Sequence, residues 1–165
     1  MSHPVLCPMT KALSRAFWDG FSPDPAVYEH PEEMQPYTFR QEDAEARYDQ
    51  RLANGKCLLA VLLDGAVIGD IEFKRFDPER SSCAFGIHMK NDAFKNRGYG
   101  TEAERLALRY AFETLQVETV LADALRTNAR SRHVLEKVGF RQIGQDERYA
   151  YYECRRAPSA LLSDL

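Results

Sequence analysis

Two apolar runs, Leu58–Leu63 and Ala66–Phe73, are separated only by Asp64-Gly65. A two-residue connection leaves no room for a crossover, so the runs must pair antiparallel. Asp-Gly suits the positive φ that such a hairpin turn demands at both central positions. Ser81–Met89 extends the pattern, because Cys83, Phe85, Ile87 and Met89 alternate at the period of a half-buried strand. The middle of the chain is therefore read as a three-stranded antiparallel sheet.

The flanks read differently. Pro4–Met9 is a short first strand, and Thr10 is placed to cap a helix over Lys11–Phe21 with Leu13, Ala16, Phe17, Gly20 and Phe21 on one stripe. Ser22–Pro36 holds four of the eight prolines together with Asp24, Glu29, Glu32 and Glu33, and reads as a loop that could cover or attract an acceptor. A second helix spans Gln41–Ala53. After the sheet, Gly98–Leu115 is a helix with Ala103, Leu106, Ala107, Tyr110, Ala111 and Leu115 on one face. Thr119–Ala124 is a buried strand. Asn128 opens a helix with Val134, Leu135 and Val138 inward, Gly139 closes it, and Phe140–Ile143 and Arg148–Cys154 are the last two strands. No internal repeat or linker interrupts residues 1–165, so the chain is expected to be one domain.

A net charge of −3 provides no basic excess to displace counterions from phosphates, which argues against nucleic acid as partner. No apolar run long enough to cross a bilayer is present, and the N-terminus lacks the pattern of a secretory signal. The expectation is a cytoplasmic protein with no membrane partner. Cys7, Cys57, Cys83 and Cys154 form no CxxC pair, and His3, His30, His88 and His133 form no zinc spacing, so no metal site is expected and the thiols are read as free.

Lys95-Asn96-Arg97-Gly98-Tyr99-Gly100-Thr101 lies between a strand and the long helix. Two glycines let the backbone turn tightly and leave its N–H groups uncovered, and the helix start adds orphan donors and a partial positive charge. The result suits a phosphate or pyrophosphate. Gly98–Ala103 also matches the dinucleotide fingerprint G-x-G-x-x-[GA], with Asp123 downstream. That fingerprint must follow directly on a parallel strand, whereas Lys90–Arg97 intervenes here and the preceding strands form hairpins.

A second segment, Asn128–Phe140, begins with a good N-cap and ends on a helix stop. Together the two segments resemble the GNAT superfamily of N-acetyltransferases. Lys95–Gly100 is similar to its Q/R-x-x-G-x-G/A acetyl-CoA loop, with Lys95 where Gln or Arg is usual. Asn128–Phe140 resembles the N-x-x-S-x-x-V-L-E-K-x-G-F element of the ribosomal-protein-acetylating branch, RimJ- and RimL-like. The resemblance implies an α/β (α+β) fold with a mixed, mostly antiparallel central sheet of about seven strands, helices on both faces, and a splay between strands four and five. It implies acetyl-CoA as cosubstrate. Pantetheine would pair with backbone at His88, Met89 and Lys90, and the pyrophosphate would sit on Lys95, Asn96, Arg97, Gly98, Tyr99, Gly100 and Thr101. Asn128, Ser131 and Lys137 would line the remainder. The acceptor would be an amine-bearing small molecule or a protein N-terminus, on a monomer or homodimer.

The attacking amine must be neutral, the oxyanion needs a donor, and the leaving thiolate needs a proton. Many relatives carry a helix tyrosine for the last task, but the equivalent position here is Leu135. Ser131 is the hydrogen-bonding substitute, with Tyr149, Tyr151 and Tyr152 as further candidates. Glu72 and His88, polar residues on central strands, are the base candidates. The alternative to an enzyme is a non-catalytic acyl-CoA-binding sensor or scaffold module.

Overall fold

The computed structural model of the protein describes residues 1–158. Seven strands form one sheet in the order β1-β2-β3-β4-β5-β7-β6. They are β1 (Val5–Pro8), β2 (Cys57–Leu63), β3 (Ala66–Asp77), β4 (Ser82–Met89), β5 (Thr119–Leu125), β6 (Arg141–Gln145) and β7 (Tyr149–Arg155). The helices are α1 (Lys11–Trp18), α2 (Gln41–Ala53), α3 (Tyr99–Glu113) and α4 (Ala129–Val138). Every strand pair is antiparallel except β4–β5. The expected mixed, mostly antiparallel sheet is therefore present.

The turn between β2 and β3 is built as the sequence requires, with Asp64 at φ 50° and Gly65 at φ 82°. Alternation along β2 then separates two cores. Leu59 and Val61 join Ile68, Ile71 and Phe73 beneath α3 and α4, where Ala103, Ala107, Ala111 and Leu135 pack. Leu58 and Ala60 join Val67, Phe17, Trp18 and Ala44 beneath α1 and α2. The sheet thus carries helices on both faces.

Two boundaries differ from the sequence reading by more than two residues, and one loop carries short helical turns. Helix α1 ends at Trp18 instead of Phe21, because Gly20 turns the chain at φ 98°. Strand β3 runs on to Asp77, past the end of the apolar run. Residues 22–36 are not featureless: Pro25 and Pro31 each open a short 3₁₀ turn, Pro25–Val27 and Pro31–Glu33, as a fixed φ at the first helical position favours.

The sheet opens between β4 and β5. Only Ser82, Cys83 and Ala84 pair with β5, opposite Thr119, Val120 and Leu121. Phe85 stands where pairing stops, its ring 6.0 Å from Phe73 and 6.3 Å from Phe140. Beyond it, Gly86–Met89 remains paired with β3 but has no partner on the other side.

Candidate active site

Helix α3 begins at a left-handed residue, Gly98, with φ 82° and no side chain to cap the helix. The Glu102 N–H donates to the Gly98 carbonyl at 3.0 Å, which is the first bond of the helix. The N–H groups of Tyr99, Gly100 and Thr101 precede that bond and are orphan donors. Gly100 is helical, and a Cβ built on it meets nothing within 4 Å. Gly98 therefore serves the turn and Gly100 leaves space. Three closely placed donors and the helix dipole at this start could hold an anion.

The cradle opens into a cleft of about 400 Å³ in the splay. Ile87, His88 and Met89 of β4 form one wall, and Asn128, Ser131 and Lys137 line the other. The Lys90 N–H donates to the Ile68 carbonyl at 2.8 Å. Antiparallel strands alternate their bonding direction, so the backbone groups of His88, like the Lys90 N–H, serve β3. Those of Ile87 and Met89 face the gap. Of the three residues expected to pair with pantetheine, Met89 has backbone turned the right way, and Ile87 takes the place of its neighbours. The Lys90 carbonyl is held by the Ser22 N–H at 2.9 Å.

Asn128 is buried, and its Oδ1 accepts the Ser131 N–H at 3.1 Å as the cap of α4. Lys95 differs from the expected free cation: its Nζ lies 2.7 Å from Asp92 and 3.1 Å from Asp24. Arg97 is exposed and lies at the rim, outside the cleft lining. Leu135 is buried in the core, so nothing at that position supplies an acid. Tyr151 and Tyr152 do not supply one either. Tyr152 is fully buried and accepts from Arg132 Nε at 3.1 Å, and Tyr151 donates to Asp146 at 2.5 Å. Ser131 does line the cleft.

A second cavity of about 630 Å³ lies on the α2 face, lined by Trp18, Arg47, Arg51, Lys56, Asp70 and Glu72 as well as His88. Arg51 reaches from α2 to grip Asp70 through two bonds of 2.7 Å and touches Glu72 at 3.2 Å. Glu72 also meets Lys56 at 3.2 Å and Lys74 at 2.7 Å. Burial pushes the Glu72 carboxyl up, but the three cations outweigh it and hold it at about 2. A carboxylate so held has little affinity for a proton near neutrality. His88 is cross-strand neighbour to Asp70 and lines both cavities. Its side chain is open by area, yet the walls of two cavities surround it. Desolvation lowers its pKa, with Arg51 and Lys74 adding to that effect and Asp70 and Glu72 opposing it. The shift favours the neutral imidazole, the form able to accept a proton.

Asp24, read in the sequence only as part of an acidic loop, lines the cleft, and so do Phe21, Val27 and Tyr28, which went unread as site residues. Asp24 bridges Lys95 and Arg130, and Glu29 meets Arg148 at 2.5 Å, so the loop is tied across the cleft. Glu104 also lines the cleft. Its signal was available: an acidic residue at helical spacing from Ala107, Leu108 and Ala111 on a buried face.

The chain is 27% identical to the uncharacterized N-acetyltransferase YnaD of Bacillus subtilis over 108 residues, 64% of this chain and 62% of that protein. It is 32% identical to the putative ribosomal N-acetyltransferase YdaF of the same organism over 85 residues, 52% of this chain and 46% of that protein. The chain thus spans less than two thirds of either relative. A structure of AAC(6')-Ib in complex with Parmomycin and acetyl-CoA superposes with a TM-score of 0.73, covering 93% of this chain and 94% of that one at 17% identity, a likeness of fold. The sequence profile of the Acetyltransferase (GNAT) domain matches residues 5–141, and the chain belongs to that family, whose cosubstrate is acetyl-CoA.

Proposed function

We propose that residues 1–165 form one N-acetyltransferase domain that moves the acetyl group of acetyl-CoA to a primary amine, with His88 as the base. The observation that carries this reading is the position of His88, an imidazole that lines both cavities. One cavity fits the cofactor, and the other is left for the acceptor.

The residues fit coenzyme A. Orphan N–H groups of Tyr99, Gly100 and Thr101 cradle the pyrophosphate, Arg97 adds a rim charge, and the Ile87 and Met89 backbone pairs with the pantetheine arm. A further cavity of about 690 Å³ shares Gly98, Thr101 and Lys137 with the cleft and adds Arg105 and Arg155. Those cations suit the adenosine 3′-phosphate. When bound, acetyl-CoA supplies an activated acyl group. His88 Nδ1 or Nε2 takes a proton from the acceptor ammonium, a strand N–H facing the gap donates to the developing oxyanion, and the Ser131 hydroxyl is the group of this chain placed to bond the departing sulfur. Glu72 acts through charge: with Asp70 it anchors Arg51, and it is not a base.

The acceptor is an amine on a small molecule or a protein N-terminus. The second cavity has both signs of charge, which suits an acceptor with an acidic group beside its amine. Asn128–Phe140 and the likeness to YdaF support the ribosomal-protein-acetylating branch. Four free thiols are consistent with a reducing cytoplasm.

The test is thiol release from acetyl-CoA with a panel of amines and N-terminal peptides. Turnover is expected with at least one amine, and a pure sensor would bind without turnover. His88→Gln should lower kcat about 10²–10⁴-fold, the range of one general base. In the parent, kcat/KM should fall on the acid side of a pKa below about 6.5, the ordinary histidine value. An unchanged acid limb in His88→Gln removes the base from this residue.

A further inference from the structure

Glu104 lies on the buried face of α3 at 5% exposure, beside Ala103, Ala107 and Leu108. It is one turn past Gly100. Side chains lean toward the start of their helix, which brings this carboxyl to the cleft wall with Ile87 and Met89 on β4 and Asn128 on α4. Its Oε2 is shielded from solvent and has no hydrogen-bond partner. The charged and titratable groups that share the cleft are His88 on β4, Asp24, Tyr28 and Lys95 in the loops, and Arg130, His133 and Lys137 on α4. None of them offsets the burial, which pushes the Glu104 carboxyl up to about 8. Lys95 and Arg130 are already engaged by Asp24.

A buried carboxyl without a partner destabilises the fold that holds it. Among the described residues no group satisfies its Oε2, and Glu104 lines the cleft. Its partner therefore comes with the occupant of the cleft. With the pyrophosphate at the start of α3 and the thioester near His88, as proposed above, the arm that joins them would pass Glu104. That arm carries two amide carbonyls, which accept hydrogen bonds. A carboxylic acid keeping its proton near neutral pH can donate to them, whereas a carboxylate cannot, and the neutral form also spares the neighbouring pyrophosphate a repulsion.

We propose that the Glu104 carboxyl is a binding group for coenzyme A, donating a hydrogen bond to an amide carbonyl of the pantetheine arm between β4 and α4. The proposal rests on the placement of coenzyme A in this cleft. It predicts two opposed effects of one substitution, which a packing role alone does not. Removing the carboxyl relieves the free protein and weakens the complex.

The experiment titrates acetyl-CoA, and separately its fragment adenosine 3′-phosphate 5′-diphosphate, into the parent, Glu104→Gln and Glu104→Leu, with melting temperatures of the ligand-free proteins. Glu104→Leu should melt higher than the parent and bind acetyl-CoA about tenfold more weakly, the size of one such bond, with the fragment bound as before. Glu104→Gln keeps a neutral donor and should stay within about threefold of the parent. Raising the pH from about 7 to about 9 should weaken acetyl-CoA binding in the parent and leave Glu104→Gln unaffected. A parent that binds neither ligand rejects the placement and this assignment with it. Binding of acetyl-CoA that Glu104→Leu leaves unchanged, or a parallel loss of the fragment, overturns the assignment alone.

Discussion

At the scale of single residues, the glycine pair shows why position within a motif matters. Gly98 has a left-handed backbone, and any side chain there is strained. Gly100 has an ordinary helical backbone with open space over it, so a side chain fits the empty protein and meets only the ligand. Gly100→Val should therefore leave folding nearly intact, since a β-branched residue is no worse than glycine within a helix. It should remove access to two or three charge-assisted bonds of roughly 1.5–3 kcal/mol each, weakening coenzyme A at least about a hundredfold. Arg97→Ala deletes a rim charge and leaves the cradle, and should weaken binding only about tenfold. Parallel titrations decide between these; parental affinity in Gly100→Val would reduce the loop to a turn. The spacing of the two glycines was legible in the sequence, but their division of labour was not, because φ and free volume belong to the folded chain. Lys95 illustrates the same limit. Its place in the motif suggested a phosphate contact, and its neighbours Asp92 and Asp24, one local and one distant in sequence, claim it instead.

Between elements, the Arg51–Asp70 pair is the polar joint that holds α2 to β3. The Arg51 side chain is 12% exposed and that of Asp70 2%, so removing the cation leaves a charge buried alone. Arg51→Ala should destabilise the protein by about 3–5 kcal/mol. Lys56→Ala, which removes a more exposed partner of Glu72, should change stability by under about 1 kcal/mol. Urea unfolding measures both, and equal effects would mean that Arg51 is not the joint. Neither partner was found by reading along the chain. Period and punctuation report on neighbours in sequence, and they located the Asp64-Gly65 hairpin, α2, α3 and the Asn128 cap. A pair 19 residues apart on a helix and a strand has no local signature. The same reason explains β3, whose extension to Asp77 is set by pairing with β4 and not by its own composition.

For the whole molecule, the splay divides the sheet into β1–β4 and β5–β7, joined across the gap by three residue pairs and by the helices above. The existence of the opening followed from the resemblance of two motifs, but its extent follows from the register of β4 against β5. A ligand that spans the gap touches β4, the start of α3 and the start of α4 together, so its binding free energy becomes stability of the assembled sheet. A ligand at about a hundred times its Kd adds about 2.7 kcal/mol to a protein it binds only when folded. For a domain of this size each kcal/mol moves the midpoint by roughly 2–4 °C. Acetyl-CoA should therefore raise the melting temperature by about 5–10 °C at that excess. The shift should grow with the logarithm of ligand concentration, and Gly100→Val should need about a hundredfold more ligand to reach it. A melting temperature indifferent to acetyl-CoA at high concentration would show that the gap is not its site. A shift in the parent that Gly100→Val matches at equal concentration would place the ligand in the protein but away from the cradle.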